Sequence, residues 1–172
     1  IREGLQMLAR DGWLQMETYK GAVVREFDPH YMWELIRIRY ALELSAVEDA
    51  VRNMTDEGLR RLRQIQENQR EDLLNYNVDE FIRHDREFHS CIYEMSLNRE
   101  LMKLASNYYD VFRFLGTQAV MGTEERRLTT IEEHQAILDA AEKHDPQAAV
   151  QAMKMHMEQT EKNIRRHIKI AP

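Results

Sequence analysis

The sequence contains little cysteine, proline or glycine, and each shortage excludes a class of protein. The single cysteine, Cys91, excludes an internal disulfide framework and is consistent with a reducing cytoplasm. Three prolines and six glycines in 172 residues argue against a turn-rich β fold and favour long helices. No apolar run approaches the ~20 residues that cross a bilayer, and no signal-peptide pattern is present. The sequence therefore predicts a cytoplasmic, helix-rich protein without a membrane segment.

Basic residues are fewer than acidic ones, and the formal net charge is −6. The chain as a whole has no electrostatic reason to bind nucleic acid. Residues 1–27 carry four basic and four acidic side chains, so the negative charge lies in the remainder. The length allows one substantial core and a small appendage. Because the sequence begins within a pattern at Ile1, without Met, we expect a longer parent protein.

Residues 1–27 have a different pattern from the rest and form the first predicted domain. An apolar face followed by the stop signal at Gly12 predicts a short helix. Two strand-like runs, 13–17 and 22–27, flank a four-residue turn and predict a hairpin. Helix followed by hairpin is the order found in the second half of a winged helix-turn-helix. A β-decorated cap on a helical bundle fits the same pattern.

Residues 28–172 form the second predicted domain, and their apolar spacing is helical throughout. The breaks between helices carry Asn, Thr, Asp and Pro, which begin and end helices. We predict an all-α antiparallel bundle of about six helices. The predicted helices cover 29–52, 55–75, 78–96, 98–121, 123–143 and 146–168.

Four polar residues interrupt the apolar faces of these helices: Asp85, His89, His134 and His156. An ionised aspartate on such a face costs several kcal/mol unless it is paired or bound to a cation. A lone histidine there is more often a core residue bonded to a backbone carbonyl, and Asp85 with His89 could form an intrahelical pair. Four such positions on three helices favour a metal site instead.

Other polar and sulfur-bearing residues make no comparable set. Cys91 lies about 200° around its helix from His89, so a small buried apolar residue is the preferred interpretation. Glu125–Arg127 and the charged stretch 56–72 are predicted to be solvated helix faces. The remaining histidines are predicted to be solvated or terminal, and they are His30, His84, His144 and His167.

The charge of the predicted site indicates the kind of ligand that would enter it. A divalent cation and Asp85 together leave about one positive charge among neutral imidazoles. Arg39, beside the apolar face of helix 29–52, would add another, so the site should favour a small carboxylate that binds the metal and Arg39. A surface pair between Arg39 and Glu43 is the alternative. Zinc, nickel, manganese and iron all fit four such ligands with an open position, and the ligand type favours zinc or nickel.

Short motifs along nearly the whole chain resemble GntR-superfamily transcriptional regulators of the FadR-like group, whose effector domain is the all-helical FCD bundle. Four of these motifs occur in the family's order at fitting spacings. The matching segments are 1–5 with Leu8 and 11–14, Gly21 with 23–24, 38–43, 85–89 with Asn98, 133–137, and Asp145 with Ala149 and His156.

The resemblance implies roles for five residues in the helical domain. Asp85, His89, His134 and His156 correspond to the metal ligands of metal-binding members. Arg39 corresponds to the arginine that helps to hold the effector's carboxylate in such members.

The resemblance also implies a homodimer whose paired winged helices bind a roughly palindromic operator. Arg2 and Gln6 in the first helix would contact bases, and Lys20 in the wing would reach phosphate or the minor groove. All three could equally be plain surface residues. Gly4 replaces the family's usual alanine, and the first two helices of the DNA-binding domain are absent. This chain alone is therefore expected to bind DNA poorly.

The leading hypothesis is a metabolite-responsive, DNA-binding transcriptional regulator rather than an enzyme. A metal-dependent hydrolase or oxygenase is the second hypothesis, because open histidine-rich sites also activate water or oxygen. Against it, no inward glutamate is evident as a general base, and no His-Glu-x-x-His helix is present. A metal-free regulator that binds an acyl chain or lipid is the third, and the complete ligand set argues against it.

Overall fold

The computed structural model describes residues 1–10, 14–24 and 29–168, and most of these residues are helical. The predicted all-α fold is confirmed. Among the described residues, no helix is long and apolar enough to cross a membrane. The elements are α1 Arg2–Arg10, β1 Leu14–Glu17, β2 Gly21–Val24, α2 Pro29–Arg52, α3 Asp56–Leu74, α4 Val78–Met95, α5 Arg99–Asn107, α6 Tyr109–Val120, α7 Glu124–Glu142 and α8 Pro146–Ile168.

The N-terminal elements form a helix followed by an antiparallel hairpin, as the sequence predicts. Leu14 pairs with Val24 and Glu17 with Gly21 at the two ends of the ladder. Gly21 has φ of 83°, a left-handed conformation that glycine adopts without strain. The predicted helix stop at Asp11-Gly12, and the ends of the two strand-like runs at Trp13 and 25–27, lie outside the described residues.

Polar caps begin most helices of the bundle close to the predicted positions. Each cap side chain accepts a hydrogen bond from a backbone N–H of the first turn, which otherwise lacks a partner. The caps of α3, α4, α5, α7 and α8 are Thr55, Asn77, Asn98, Thr123 and Asp145.

The prediction of a single helix over 98–121 is wrong, because the structure divides this segment into α5 and α6. The break is at Tyr108, with φ of −112° and ψ of 12°. Its N–H donates to the Ala105 carbonyl in a tight final turn. The junction lacks glycine and proline, so sequence signals did not reveal it.

Two hydrophobic clusters fill the bundle, and α2, α4, α7 and α8 contribute to both. The first contains Phe88, Ile137 and Met153, and the second contains Phe81 and Ile131. Where these helices pass from one cluster to the other, their inward side chains are polar, and Gln69 of α3 joins them. We call this set the polar layer, and its members are Arg39, Glu43, Gln69, Asp85, His89, His134 and His156, all of which are buried.

Several residues that we predicted to be solvated are buried instead. His84 is 6% exposed because its face of α4 packs against α3, where Asp72 accepts a hydrogen bond from its Nδ1. Arg126 is 7% exposed, and Gln66 in the charged stretch is buried as well. Cys91 is buried as predicted, and burial raises its pKa to about 11. His30 and His144 are exposed as predicted, whereas the side chain of His167 lies outside the described residues.

Candidate metal and effector site

Three of the four predicted metal ligands come together in the polar layer. His89 of α4, His134 of α7 and His156 of α8 each offer a ring nitrogen, and these atoms all lie within 4.8 Å of one another. The closest pair is the Nε2 of His89 and the Nε2 of His156, at 3.3 Å. The rings of His134 and His156 have centroids 4.9 Å apart. The structure therefore brings ring nitrogens from three different helices into one space.

The outer nitrogen of each ring is bonded to a side-chain oxygen. An ionised carboxylate or an amide oxygen can only accept, so each ring donates through Nδ1, and in its neutral form it directs an unprotonated Nε2 inward. This arrangement differs from the alternative of histidines bonded to backbone carbonyls. The pairs are His89 with Glu43 at 3.0 Å, His134 with Gln69 at 3.0 Å, and His156 with Glu133 at 2.8 Å.

The inward nitrogens lack suitable donors. Two neutral imidazoles whose Nε2 lone pairs face each other at 3.3 Å repel unless a proton or a cation lies between them. The Nε2 of His134 is buried without a hydrogen-bond partner among the described residues. Burial lowers the pKa of His134 and of His156 well below the usual value, and neighbouring rings and arginines lower both further. These residues fit a divalent cation, which would satisfy the lone pairs without protonating the rings.

Asp85, the fourth predicted ligand, borders this cluster at one side. Its Oδ1 lies 3.8 Å from the Nε2 of His134 and accepts a hydrogen bond of 3.4 Å from the amide of Gln69. Burial raises its pKa, against the lowering effect of His89 and Arg39. The alternative of an Asp85–His89 intrahelical bond is not what forms, because the Nδ1 of His89 donates to a different carboxylate.

Two glutamates, the buried Glu43 and the partly buried Glu133, bond to the outer side of the site, and each is paired with an arginine. Arg126 forms a bidentate pair with Glu133 at 2.9 and 3.0 Å. Burial raises the pKa of Glu133 to about 6, although Arg126 opposes this. Arg39 donates to Glu43 at 3.2 Å. Burial would raise the pKa of Glu43, but His89 and then Arg39 outweigh it and lower that pKa to about 2.

A cavity of about 200 Å³ opens beside the histidines. His89 reaches it, whereas His134 and His156 do not line it. Arg39 also lines it and donates to the backbone oxygen of Phe112 at 3.4 Å. The pair between Arg39 and Glu43 that we considered at the surface is formed in the interior, where the two side chains are 6% and 1% exposed. The remaining lining residues include Arg86, Ser90, Tyr93, Glu94, Met102, Ala105, Ser106 and Arg113.

Sequence reasoning missed the partners of the histidines. Gln69 and Arg126 lie in stretches that we assigned to solvated faces. Glu133 was noted only as part of the segment 133–137 that resembles the family. Glu43 and Glu133 both reach the histidines, although no inward glutamate was evident in the sequence as a general base. Each of these carboxylates is already bonded to a histidine and an arginine, so neither is placed as a free base. The sequence spacing between a histidine and its partner gives no signal, because the two lie on different helices.

The three residues suggested for DNA contact are exposed on the N-terminal elements. Arg2 and Gln6 lie on α1 at solvent-accessible positions. Lys20, in the hairpin turn, forms an ion pair of 2.8 Å with Glu17.

Comparison with protein families identifies the helical domain. The family model described as the FCD domain matches residues 34–159. The chain belongs to the FCD domain family. This result agrees with the bundle architecture and with the resemblance noted in the sequence.

Curated relatives of the chain are regulators of transcription, not enzymes. An uncharacterised HTH-type transcriptional regulator of Bacillus subtilis, YdhC, is 29% identical over 91% of this chain and 70% of its own length. The Nta operon transcriptional regulator of Aminobacter aminovorans is 31% identical over 66% of this chain and 54% of that protein. The Uxu operon regulator of Haemophilus influenzae is 29% identical, with 92% and 64% covered. The matches therefore span between about half and 70% of these relatives.

Solved structures share the fold. E. coli McbR/YncC superimposes with a TM-score of 0.85 at 23% identity, covering 96% of this chain and 83% of that one. A structure described as a metal-free FCD domain has a TM-score of 0.69 at 15% identity and covers 86% of this chain. The whole of that second chain is covered.

Proposed function

We propose that this chain is the effector-sensing part, with a portion of the DNA-binding part, of a metabolite-responsive transcriptional regulator of the GntR family and its FadR-like group. A divalent metal, with zinc or nickel favoured over manganese or iron, would be held by His89, His134 and His156, with Asp85 as a fourth ligand. A small organic acid would then enter the cavity and alter operator binding by a homodimer.

The observation that carries this proposal is the orientation of the three imidazoles. Each donates its Nδ1 proton outward, so the Nε2 atoms of three neutral rings would share one buried space. The outer carboxylates and the Gln69 amide fix the ring orientation, as the outer partners of metal-binding histidines do. When bound, the ion supplies an electrophilic centre that a carboxylate can coordinate.

The cavity supports the effector part of the proposal. His89 belongs to the histidine cluster and also lines the cavity, and Arg39 lies at the cavity wall beside Glu43. Arg39 would turn part of its guanidinium from the Phe112 carbonyl toward an incoming carboxylate, to which it can donate two parallel hydrogen bonds. Effector binding would thus change the contact between α2 and α6. A ligand shifts a conformational equilibrium only through such differential contacts.

The N-terminal elements support the DNA-binding part. A helix followed by an antiparallel hairpin is the order expected for the recognition helix and wing in residues 1–27, and the FCD domain would occupy 28–172. Arg2 and Gln6 would contact bases and Lys20 would contact phosphate, as the operator partners of a homodimer. The names of the curated relatives support a role in transcription.

Elemental analysis of untagged protein, purified without added metal and after reconstitution, tests the metal site. We expect about one equivalent per chain in the parent and almost none in a His134→Ala, Asp85→Ala variant. His84→Ala is the matched control, because it removes a buried histidine outside the cluster. Loss of metal in the control alone, or no metal in the reconstituted parent, would contradict the proposal.

A further inference from the structure

The cavity follows one face of α4. Its lining residues on this helix recur every three to four positions and so share a face; they are Arg86, His89, Ser90, Tyr93 and Glu94. At 1.5 Å per residue this stripe is about 12 Å long. His89 lies in its middle and Arg86 at one end, about one helical turn away.

Charged groups around the cavity differ in whether they have a counter-ion. Arg39 is paired with Glu43, and Glu94 is paired with Arg61. Arg86 is half-buried, and within the described part of the chain it donates only to the carbonyl of Ile82 on its own helix, at 3.2 Å. Arg86 is therefore a half-buried cation at the cavity wall with no carboxylate partner among those residues.

We propose that the effector is a dicarboxylic acid whose second carboxylate pairs with Arg86. This inference rests on the proposed function, in which the first carboxylate binds at the metal and Arg39. One turn of α4 separates Arg86 from His89, which suits two acidic groups joined by a few carbons. A guanidinium also matches the planar, two-oxygen geometry of a carboxylate.

The rest of the lining fits the carbon chain of such an acid. Met102, Ala105 and Phe112 present apolar surface to the cavity from α5 and α6. A monocarboxylate would contact the same surface but would leave Arg86 without a counter-ion while removing water from it. A hydrogen-bonded partner for a charged group contributes about 1.5–3 kcal/mol, which corresponds to roughly tenfold or more in affinity.

Isothermal titration of the metal-loaded chain with pairs of acids of equal carbon number tests this inference. The probes are succinate against butyrate and glutarate against valerate. In the parent we expect at least one dicarboxylate to bind about tenfold or more tightly than its monocarboxylate counterpart. In Arg86→Gln we expect that preference to fall to about twofold or less, with monocarboxylate affinity nearly unchanged.

Arg83→Gln is the matched control, since it makes the same change on the same helix at a residue that does not line the cavity. It should keep the full dicarboxylate preference. Metal content is measured after each titration, because removal of metal by chelation would give the same apparent preference in both variants and would overturn the inference. Equal binding of both kinds of acid to the parent would overturn the inference and leave the proposed function intact. No binding of any of the four acids would overturn both.

Discussion

Helix α4 carries two buried histidines that have similar outer partners and different inner ones. The Nδ1 of His84 donates to Asp72, and its Nε2 accepts a hydrogen bond from the Arg83 guanidinium at 2.6 Å. The Nδ1 of His89 donates to Glu43, but its Nε2 faces a second imidazole. Burial and a carboxylate partner are therefore common to both residues. Only the convergence of unprotonated nitrogens distinguishes a candidate metal ligand from a histidine whose hydrogen bonds are already satisfied.

The largest expected difference between the histidine cluster and the surroundings of His84 concerns one arginine in each place. Arg126 is 7% exposed and neutralises Glu133, which is 13% exposed, whereas Arg83 is 48% exposed. Arg126→Met should destabilise the metal-free protein by about 3 kcal/mol, because a largely enclosed carboxylate loses its counter-ion. Arg83→Met should cost less than about 0.5 kcal/mol, as exposed pairs do. Urea denaturation measures both losses.

A second substitution checks the cause of that loss. Glu133→Gln added to Arg126→Met removes the unpaired charge and should recover part of the stability. No recovery would mean that packing of the Arg126 side chain, rather than charge, accounts for the loss.

Metal binding should separate the histidine cluster from His84 almost as strongly. At a metal concentration a hundred times the dissociation constant, binding adds about 2.7 kcal/mol and raises the Tm by about 5–10 °C. His134→Ala should abolish this rise, whereas His84→Ala should retain it even if its own Tm is lower. Differential scanning calorimetry with and without metal measures the shift, and an equal rise in both variants would contradict the assignment.

The outer carboxylates give a smaller contrast. Glu43→Gln keeps an oxygen acceptor for His89 but removes the charge that strengthens this ligand, and it should lower metal affinity about 10-fold to 100-fold. Asp72→Asn makes the same change beside His84 and should leave metal affinity within about twofold. Competition with a chromophoric chelator measures both affinities. If the two variants behave alike, the outer carboxylate does not tune the site.

Most helix boundaries and the three histidines that converge were predictable, because both depend on local signals. Thr55, Asn77 and Asn98 cap helices within their own first turn, so the cap and its partner are neighbours in sequence. The histidines stand out because a polar side chain interrupts an apolar spacing of three and four. Each of these signals can be recognised within a single segment of about twenty residues.

The partners of the histidines were not predictable for the opposite reason. Gln69 is 65 residues from His134, and Glu43 is 46 residues from His89. Which glutamine or glutamate on an amphipathic helix turns inward depends on how five helices pack together. The same dependence explains why His84 was misassigned, since its burial comes from contact between α3 and α4.

The smallest expected effect is the response of the metal-free protein to mild acid. Burial lowers the pKa of His134 and His156 well below 6.5, so between pH 7 and 6 the unfolded chain takes up protons that the folded chain does not. Stability should then fall by about 1 kcal/mol over this range. Glu133 opposes the fall slightly, because its pKa of about 6 lets the folded state bind a proton first. Glu43, with a pKa lowered to about 2, contributes stability that is lost only below its unfolded pKa of 4.5.

Chemical denaturation of metal-stripped protein at pH 7 and pH 6 measures this dependence. His134→Gln removes one of the two titrating rings and should reduce the difference by about half. His30→Gln is the control, because that side chain is 76% exposed and its substitution should leave the difference unchanged. A parent protein that gains stability from pH 7 to 6 would mean that the folded state takes up protons before the unfolded chain does. In that case a proton shared between His89 and His156 would satisfy their facing lone pairs, and the argument for a cation at this position would lose its main support.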